Sequence, residues 1–106
     1  MQRITVIGNI GSDSKIMDSN NQKVINFSVG STERFKNKEG VQTEKTTWYD
    51  CAMWKRSDQS VEIAKYLIKG AHVLIEGKPS ADTYTDKNTG EIRINFRINV
   101  EKVVLL

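Results

Sequence analysis

The segment that most constrains the fold runs over residues 92–100, where apolar and polar side chains alternate without a break. The apolar positions are Ile92, Ile94, Phe96, Ile98 and Val100, and the polar positions between them are Arg93, Asn95, Arg97 and Asn99. A period of two predicts a β-strand with one buried face and one polar face. A helix would scatter these apolar residues around its circumference. The chain is therefore expected to be built largely from β-sheet.

Similar strand patterns recur along the chain. The sequence predicts further strands over residues 3–10, 25–29, 46–54, 72–77 and 81–85. Polar loops are predicted over residues 36–45 and 86–90.

Only one segment, residues 58–69, has a helical pattern. Ser57 or Asp58 can cap its start, Gly70 can end it, and its apolar stripe consists of Val61, Ala64, Leu67 and Ile68. The order is then three strands, one helix and two or three strands. This order matches the all-β OB-fold, a five-stranded Greek-key barrel with one helix between strands 3 and 4. Periodicity does not establish that the barrel closes, so a small open α+β sheet remains an alternative.

Composition limits what chemistry the chain can perform. Its 106 residues, with one cysteine and one histidine, are expected to form a single domain over residues 1–106. A structural zinc site needs about four ligands, mostly Cys and His. Cys51 and His72 both fall in predicted strands, and Cys51 is read as a buried thiol. The carboxylates form no convincing acid–base pair, and no phosphate-binding glycine loop precedes a helix. We therefore expect no enzyme activity, no metal and no cofactor.

Charge and hydropathy suggest the partner and the compartment. The net charge of +3 permits a polyanionic partner without identifying one. No apolar run approaches the ~20 residues that cross a bilayer, and no secretory signal is expected. A cytoplasmic, nucleoid-associated protein without disulfides is expected.

The predicted strand over residues 46–54 has an unusual outer face. Its core face carries Tyr49, Cys51 and Met53. The opposite face carries Trp48, Asp50, Ala52 and Trp54, and therefore holds both tryptophans beside an acidic residue. Such a face suits stacking of nucleic-acid bases, and it equally suits a subunit interface.

Basic neighbours favour the nucleic-acid reading of this face. Trp54 is followed directly by Lys55 and Arg56, and Phe35 lies between Arg34 and Lys36. Aromatic rings can take bases while the adjacent cations take phosphates.

Several motifs together resemble the bacterial single-stranded DNA-binding protein family across nearly the whole chain. The opening strand and its glycine-containing turn, residues 6–13, are similar to the start of that family. The family's third strand is matched by residues 47–49 leading to Trp54. Its post-helix signature is matched by residues 66–70 and 73–77, and its aromatic turn by residues 84–86 with Gly90.

The resemblance implies an activity and a set of binding residues. It implies sequence-independent binding and protection of single-stranded DNA during replication, recombination and repair. It assigns base stacking to Phe35, Trp48, Trp54 and Tyr84, and places Arg3, Arg34, Arg56, Lys69 and Arg93 near the DNA path. It also implies a homo-oligomer, most often a tetramer, with first strands pairing across a dimer.

The sequence departs from the family at three places. Ser14 stands where proline is frequent, and residues 80–82 lack the family's basic character. The chain ends at Leu106 without the family's acidic-tipped tail, so recruitment of repair enzymes through such a tip is not expected.

Two other binding functions stay open. One is a primosomal replication accessory protein of the same fold, and the other is an OB module for RNA or oligosaccharide.

Overall fold

The computed structural model describes all residues 1–106 as six β-strands and one short 3-10 helix. The strands are β1 (Ile4–Ile10), β2 (Lys15–Ser19), β3 (Gln22–Lys36), β4 (Gln42–Arg56), β5 (His72–Thr85) and β6 (Ile92–Leu105), and the 3-10 helix is Glu62–Tyr66. None of the helical structure has the length and hydrophobicity needed to span a bilayer.

The strands close into a barrel. Neighbouring strands follow the order β1-β5-β6-β4-β3-β2, and β1 also pairs with β3. That closing contact joins Asn9 to Gly30 and Ile10 to Val29. β4 and β6 pair in parallel, whereas every other pair is antiparallel. β2 pairs only with β3 and lies outside the closed ring of the other five strands. The predicted all-β five-stranded barrel is therefore confirmed, and the open α+β sheet is wrong.

A single hydrophobic core fills the barrel. Alternate residues of each strand point inwards, as the period of two requires. The core consists of Val6, Ile10, Ile25, Phe27, Val29, Cys51, Met53, Leu67, Val73, Ile75, Ile98 and Val100. Leu67 is the only one of these outside the strands, and it is fully buried.

The predicted helix over residues 58–69 is wrong in extent and type. Neither Ser57 nor Asp58 caps a helix, because the 3-10 helix starts after Val61 without a side-chain cap. Ile68, predicted in the apolar stripe, is 51% exposed. A short amphipathic helix needs a packed face to be stable. Here the barrel takes only Leu67 fully into its core, so one tight turn suffices.

Several strand boundaries also differ from prediction. β3 and β4 run further than expected, so the predicted loop over residues 36–45 shrinks to residues 37–41. β2 was not predicted and is joined to β3 by Asn20 and Asn21, both at positive φ. The segments 72–77 and 81–85 form one strand that is irregular between Glu76 and Gly77. The predicted turn over residues 86–90 is confirmed.

The alternation in β6 only partly predicted burial. Ile98 and Val100 are buried, whereas Ile92, Ile94 and Phe96 are 75%, 59% and 44% exposed. The reason is that the β5–β6 hairpin extends beyond the barrel, where no strand covers its apolar side.

Candidate nucleic-acid interface

β4 separates its side chains as the sequence predicted. Cys51 and Met53 are buried on the inner side, and Tyr49 is half-buried there with its ring centroid 6.2 Å from that of Phe96. Trp48 and Trp54 lie on the outer side and are 55% and 47% exposed. Both tryptophans are therefore kept out of the core by the strand register.

The outer side of β4 continues across β6 and onto β5. The parallel register places Asp50 opposite Arg97, and the antiparallel register then places Arg97 opposite Ser80 and Arg93 opposite Tyr84. Alternate residues of a strand share a face. Trp48, Trp54 and Tyr84 therefore lie on one continuous surface. We call this surface the aromatic face; it includes the outward residues of β3, β4, β5 and β6 that lie between the three rings.

The centre of the aromatic face is a groove made of two adjoining hollows. Their volumes are about 420 and 400 Å³, and both are lined by Asn26, Asp50, Cys51 and Arg97. Trp54 lines the second hollow, and Lys15 the first. The groove thus offers an aromatic ring and hydrogen-bonding groups side by side.

Two glycines seat the ring of Trp48. A Cβ built on Gly11 would lie 2.6 Å from Cζ3 of Trp48, and one built on Gly30 would lie 2.8 Å from the same atom. The absence of side chains there lets the ring lie against the backbone. No contact with Trp48 was predicted for either glycine, because Gly11 was assigned to a turn and Gly30 directly follows the predicted strand over residues 25–29.

Phe35 lies apart from the other predicted stacking residues. It is 45% exposed near the tip of the β3–β4 hairpin. The register pairs Phe35 with Thr43 and Gly30 with Trp48. Because Phe35 is five residues beyond Gly30, it lies on the opposite side of the hairpin from Trp48.

All five arginines form ion pairs with carboxylates. The pairs are Arg3 with Glu76 (3.3 Å) and Glu101 (3.4 Å), Arg34 with Glu44 (3.0 Å), Arg56 with Asp58 (3.6 Å), Arg93 with Asp86 (3.0 Å) and Arg97 with Asp82 (3.1 Å). Such exposed pairs contribute little stability, about 0–1 kcal/mol each. The carboxylates therefore hold the guanidinium groups in place but can be exchanged for another anion.

The predicted basic residues do not all lie on the aromatic face. Arg34, Arg56 and Arg93 lie on the outer sides of β3, β4 and β6, as Trp48, Trp54 and Tyr84 do on their strands. Arg3 lies on another wall of the barrel, beside Glu76 of β5.

The two predicted lysines are free of ion pairs. Lys55 points to the other side of β4 from Trp54, opposite Lys23 of β3, and Lys69 lies in the loop before β5. The backbone N–H of Lys69 donates to Asp13 Oδ1 at 2.9 Å.

Asp86 organises the turn that carries Arg93. Its Oδ1 accepts the backbone N–H of Asn88 at 2.8 Å, and its Oδ2 accepts Arg93 Nε at 3.0 Å. The hydrogen bond from the Asn88 backbone is the largest cause that lowers the pKa of Asp86 below its ordinary value; desolvation opposes it, and the hydrogen bonds from Arg93 and the Thr89 backbone lower the pKa further. The turn thus fixes Arg93 beside Tyr84.

Cys51 is the only thiol, and it is expected to be unreactive. Burial, with a smaller contribution from the charge of Asp50, raises the pKa of Cys51 to about 12. His72 is exposed at the start of β5. The structure brings together no group of three or more His, Cys, Asp or Glu side chains that could hold a metal ion.

Comparison with known proteins gives a consistent result. The model of the single-strand binding protein family matches residues 1–106. The chain is 29% identical over 92 residues to single-stranded DNA-binding protein 1 of Chlorobaculum tepidum, covering 86% of this chain and 56% of that protein. It is 31% identical over 90 residues to a single-stranded DNA-binding protein of Neisseria meningitidis, covering 83% of this chain and 50% of that protein. The chain thus spans about half the length of these relatives.

Two solved structures share the fold. The small single-stranded DNA-binding protein of Streptomyces coelicolor matches with a TM-score of 0.77 at 18% identity, covering 97% of this chain and 92% of that one. The Plasmodium falciparum SSB complex with ssDNA matches with a TM-score of 0.74 at 21% identity, covering 100% and 95%.

Proposed function

The chain belongs to the single-strand binding protein family, and from this premise we propose that it binds and protects single-stranded DNA without catalysing a reaction. Bases stack on Trp48, Trp54 and Tyr84, and phosphates are neutralised by lysines and arginines. The proposed setting is the cytoplasm, where single strands arise in replication, recombination and repair.

The observation that carries this proposal is the exposure of Trp48 and Trp54 on one grooved face of a barrel whose core is already filled. Neither ring completes the interior, so neither is needed there for packing. Every base has a π-face, and one stacked base contributes about 1–3 kcal/mol. Two rings separated by six residues of extended strand, roughly 20 Å, can engage several nucleotides along one strand.

Phosphate binding by the arginines involves an exchange of partners. Arg34, Arg56 and Arg93 each leave a carboxylate for a phosphate oxygen, so their net contribution is modest. Lys55 and Lys69 have no ion pair to break. We include Arg3 and Phe35, which lie off the aromatic face, as contacts for a strand that continues around the barrel and the β3–β4 hairpin.

We also propose a homo-oligomer, with a tetramer favoured, in which β1 pairs across a two-fold axis. β1 pairs with β3 only at Asn9 and Ile10, and Gly8 lies against Gly30, so residues 4–7 have a free edge. Ile7 is 53% exposed and lies in register with Leu74 and Val104 on the outer surface. Light scattering at micromolar concentration tests this assembly, and a strictly monomeric mass contradicts it.

The experiment that tests binding is a fluorescence titration with oligothymidylate of about 16 nucleotides, the upper site size for one OB-fold. Bound bases should quench Trp48 and Trp54, the only two tryptophans. Trp54→Ala should weaken binding by about 1–3 kcal/mol. Because the ring is about half-buried, it should also lower stability by roughly 2 kcal/mol, half the cost of a core truncation.

Three outcomes separate the alternatives. Equal or tighter binding of an RNA of the same length favours an RNA module. Binding of a neutral oligosaccharide without DNA binding favours a carbohydrate module. A stable dimer that binds single-stranded DNA is the behaviour expected of the primosomal accessory protein.

A further inference from the structure

Asp50 is an exposed carboxylate at the centre of the aromatic face. It lies two residues after Trp48 and four before Trp54 on the same side of β4, and it lines both hollows of the groove. Its side chain forms no ion pair and no hydrogen bond, although every arginine of the chain is paired with a carboxylate.

The contacts of the residues around Asp50 explain why its carboxylate has no partner. Arg97 is opposite Asp50 in the parallel register, but its Nε contacts Asp82 Oδ2 at 3.1 Å. Asn26, which also lines both hollows, directs its side-chain amide towards Met17 Sδ at 3.5 Å. Arg97 and the amide of Asn26 are therefore engaged elsewhere, and the carboxylate of Asp50 is left without a partner in the groove, whose first hollow Lys15 also lines.

A free carboxylate selects what can approach it. An ionised aspartate only accepts hydrogen bonds, and it repels phosphate. A base stacked on a neighbouring tryptophan presents its edge rather than its phosphate to the groove floor. Cytosine N4, adenine N6 and guanine N2 are amino donors, whereas thymine carries no amino group and has acceptor O4 at the corresponding position. Hydrogen bonds to charged groups are the stronger ones.

We propose that Asp50 gives this chain a preference among bases, favouring those with an exocyclic amino group over thymine. The residue determines specificity within the single-strand binding proposed above, and the inference rests on that function. Stacking supplies most of the affinity, and Asp50 adds a hydrogen bond that only some bases can complete.

The test compares homopolymers of deoxycytidine and deoxyuridine, each about 16 nucleotides long. Their bases have the same ring and lack the methyl group, and they differ at C4, which carries an amino donor in one and a carbonyl acceptor in the other. The parent protein should bind the deoxycytidine polymer about three- to tenfold more tightly, as expected for one charge-assisted hydrogen bond in a wet groove. In Asp50→Asn that ratio should fall to about one, because an amide both donates and accepts.

Asp18→Asn is the matched control. Asp18 is an exposed carboxylate of β2 without an ion pair, so its replacement removes the same charge away from the aromatic face. This variant should keep the parent's ratio. If Asp18→Asn abolishes the ratio as well, general charge and not Asp50 is responsible, and the proposal is overturned.

A second measurement does not depend on any variant folding. A polymer of N4,N4-dimethyldeoxycytidine keeps the ring but has no N4 donor. The parent protein should bind it no better than the deoxyuridine polymer. Equal binding of the deoxycytidine and deoxyuridine polymers by the parent refutes the role of Asp50 and leaves single-strand binding intact, whereas no binding of either refutes the proposed function itself.

Discussion

Gly30 offers a way to disturb the aromatic face without disturbing the barrel. The substitution is Gly30→Ala. The three atoms closest to the added methyl group all belong to the ring of Trp48, at 2.8, 2.9 and 3.0 Å, and none belongs to the backbone. Because that ring is 55% exposed, it can move outwards.

The size of the effect follows from this geometry. Carbon atoms pack best at about 3.5 Å, so the nearest ring atom must move by roughly 0.7 Å. A mismatch of that size between the displaced ring and a base held in place by its other contacts forfeits about a quarter to a half of their packing interaction. Applied to one stacked base, worth about 1–3 kcal/mol, the loss is about 0.3–1.5 kcal/mol, or two- to tenfold in Kd. Stability should stay within about 1 kcal/mol, because alanine is favoured over glycine in a strand by a similar amount.

Thermal denaturation measures the stability of each variant, and a fluorescence titration with single-stranded DNA measures its affinity. Ser31→Ala is the matched control, since residue 31 adjoins Gly30 but points to the other side of β3. Gly8→Ala is the contrasting variant, because its added methyl would lie 2.2 Å from the backbone oxygen of Gly30 where β1 meets β3. That variant should lose the fold.

Two outcomes would contradict the role given to Gly30. If Gly30→Ala melts like the parent and binds DNA with the parent's affinity while Trp48→Ala binds weakly, the position of the ring on its glycine seat does not matter. If Gly30→Ala instead unfolds, the ring is not free to move and Trp48 is part of the barrel's packing.

Three further predictions concern charge and reactivity. The logarithm of the binding constant should fall with log salt at about 0.7 per phosphate neutralised, and an affinity independent of salt would indicate a neutral ligand. Cys51 should resist iodoacetamide at about pH 8 while the protein is folded, since its pKa of about 12 leaves almost no thiolate; rapid alkylation without unfolding contradicts its burial. Asp86 has a folded-state pKa below its ordinary 3.8, so the stability it contributes is present above that value and is lost as pH falls through the lowered one. In Asp86→Asn the melting temperature should therefore fall less steeply as the pH is lowered than it does in the parent. An equally steep fall contradicts the role assigned to Asp86 in the turn.

Local patterns in the sequence determined most of the strands, the orientation of their side chains and one turn of this protein. The period of two predicted β4 and the outward position of its tryptophans, because a face containing Asp50 is costly to bury. The same logic placed Cys51 inside. The turn at residues 86–90 was predictable, since Gly90 takes a positive φ of 74° that few other residues adopt.

Other features depended on which distant segments meet. The alternation in β6 states which residues share a side, but only the length of the barrel decides that Ile98 is covered and Ile92 is not. Apolar residues do recur at helical spacing over residues 58–69, yet only Leu67 is fully buried, while Val61 and Ala64 are partly buried against the core. In both cases burial depends on a partner surface that lies far away in sequence.

The candidate site divides in the same way. Trp48 and Trp54 were visible in the sequence because they belong to one strand and share its register. The glycine seat at Gly30, the ion pairs of the arginines and the open carboxylate of Asp50 beside Arg97 were not visible. They arise from contacts between strands, and the pairing of β4 with β6 joins residues nearly half the chain apart. A strand's period is a local property of its backbone, whereas the partner of each side chain is fixed only when the barrel closes.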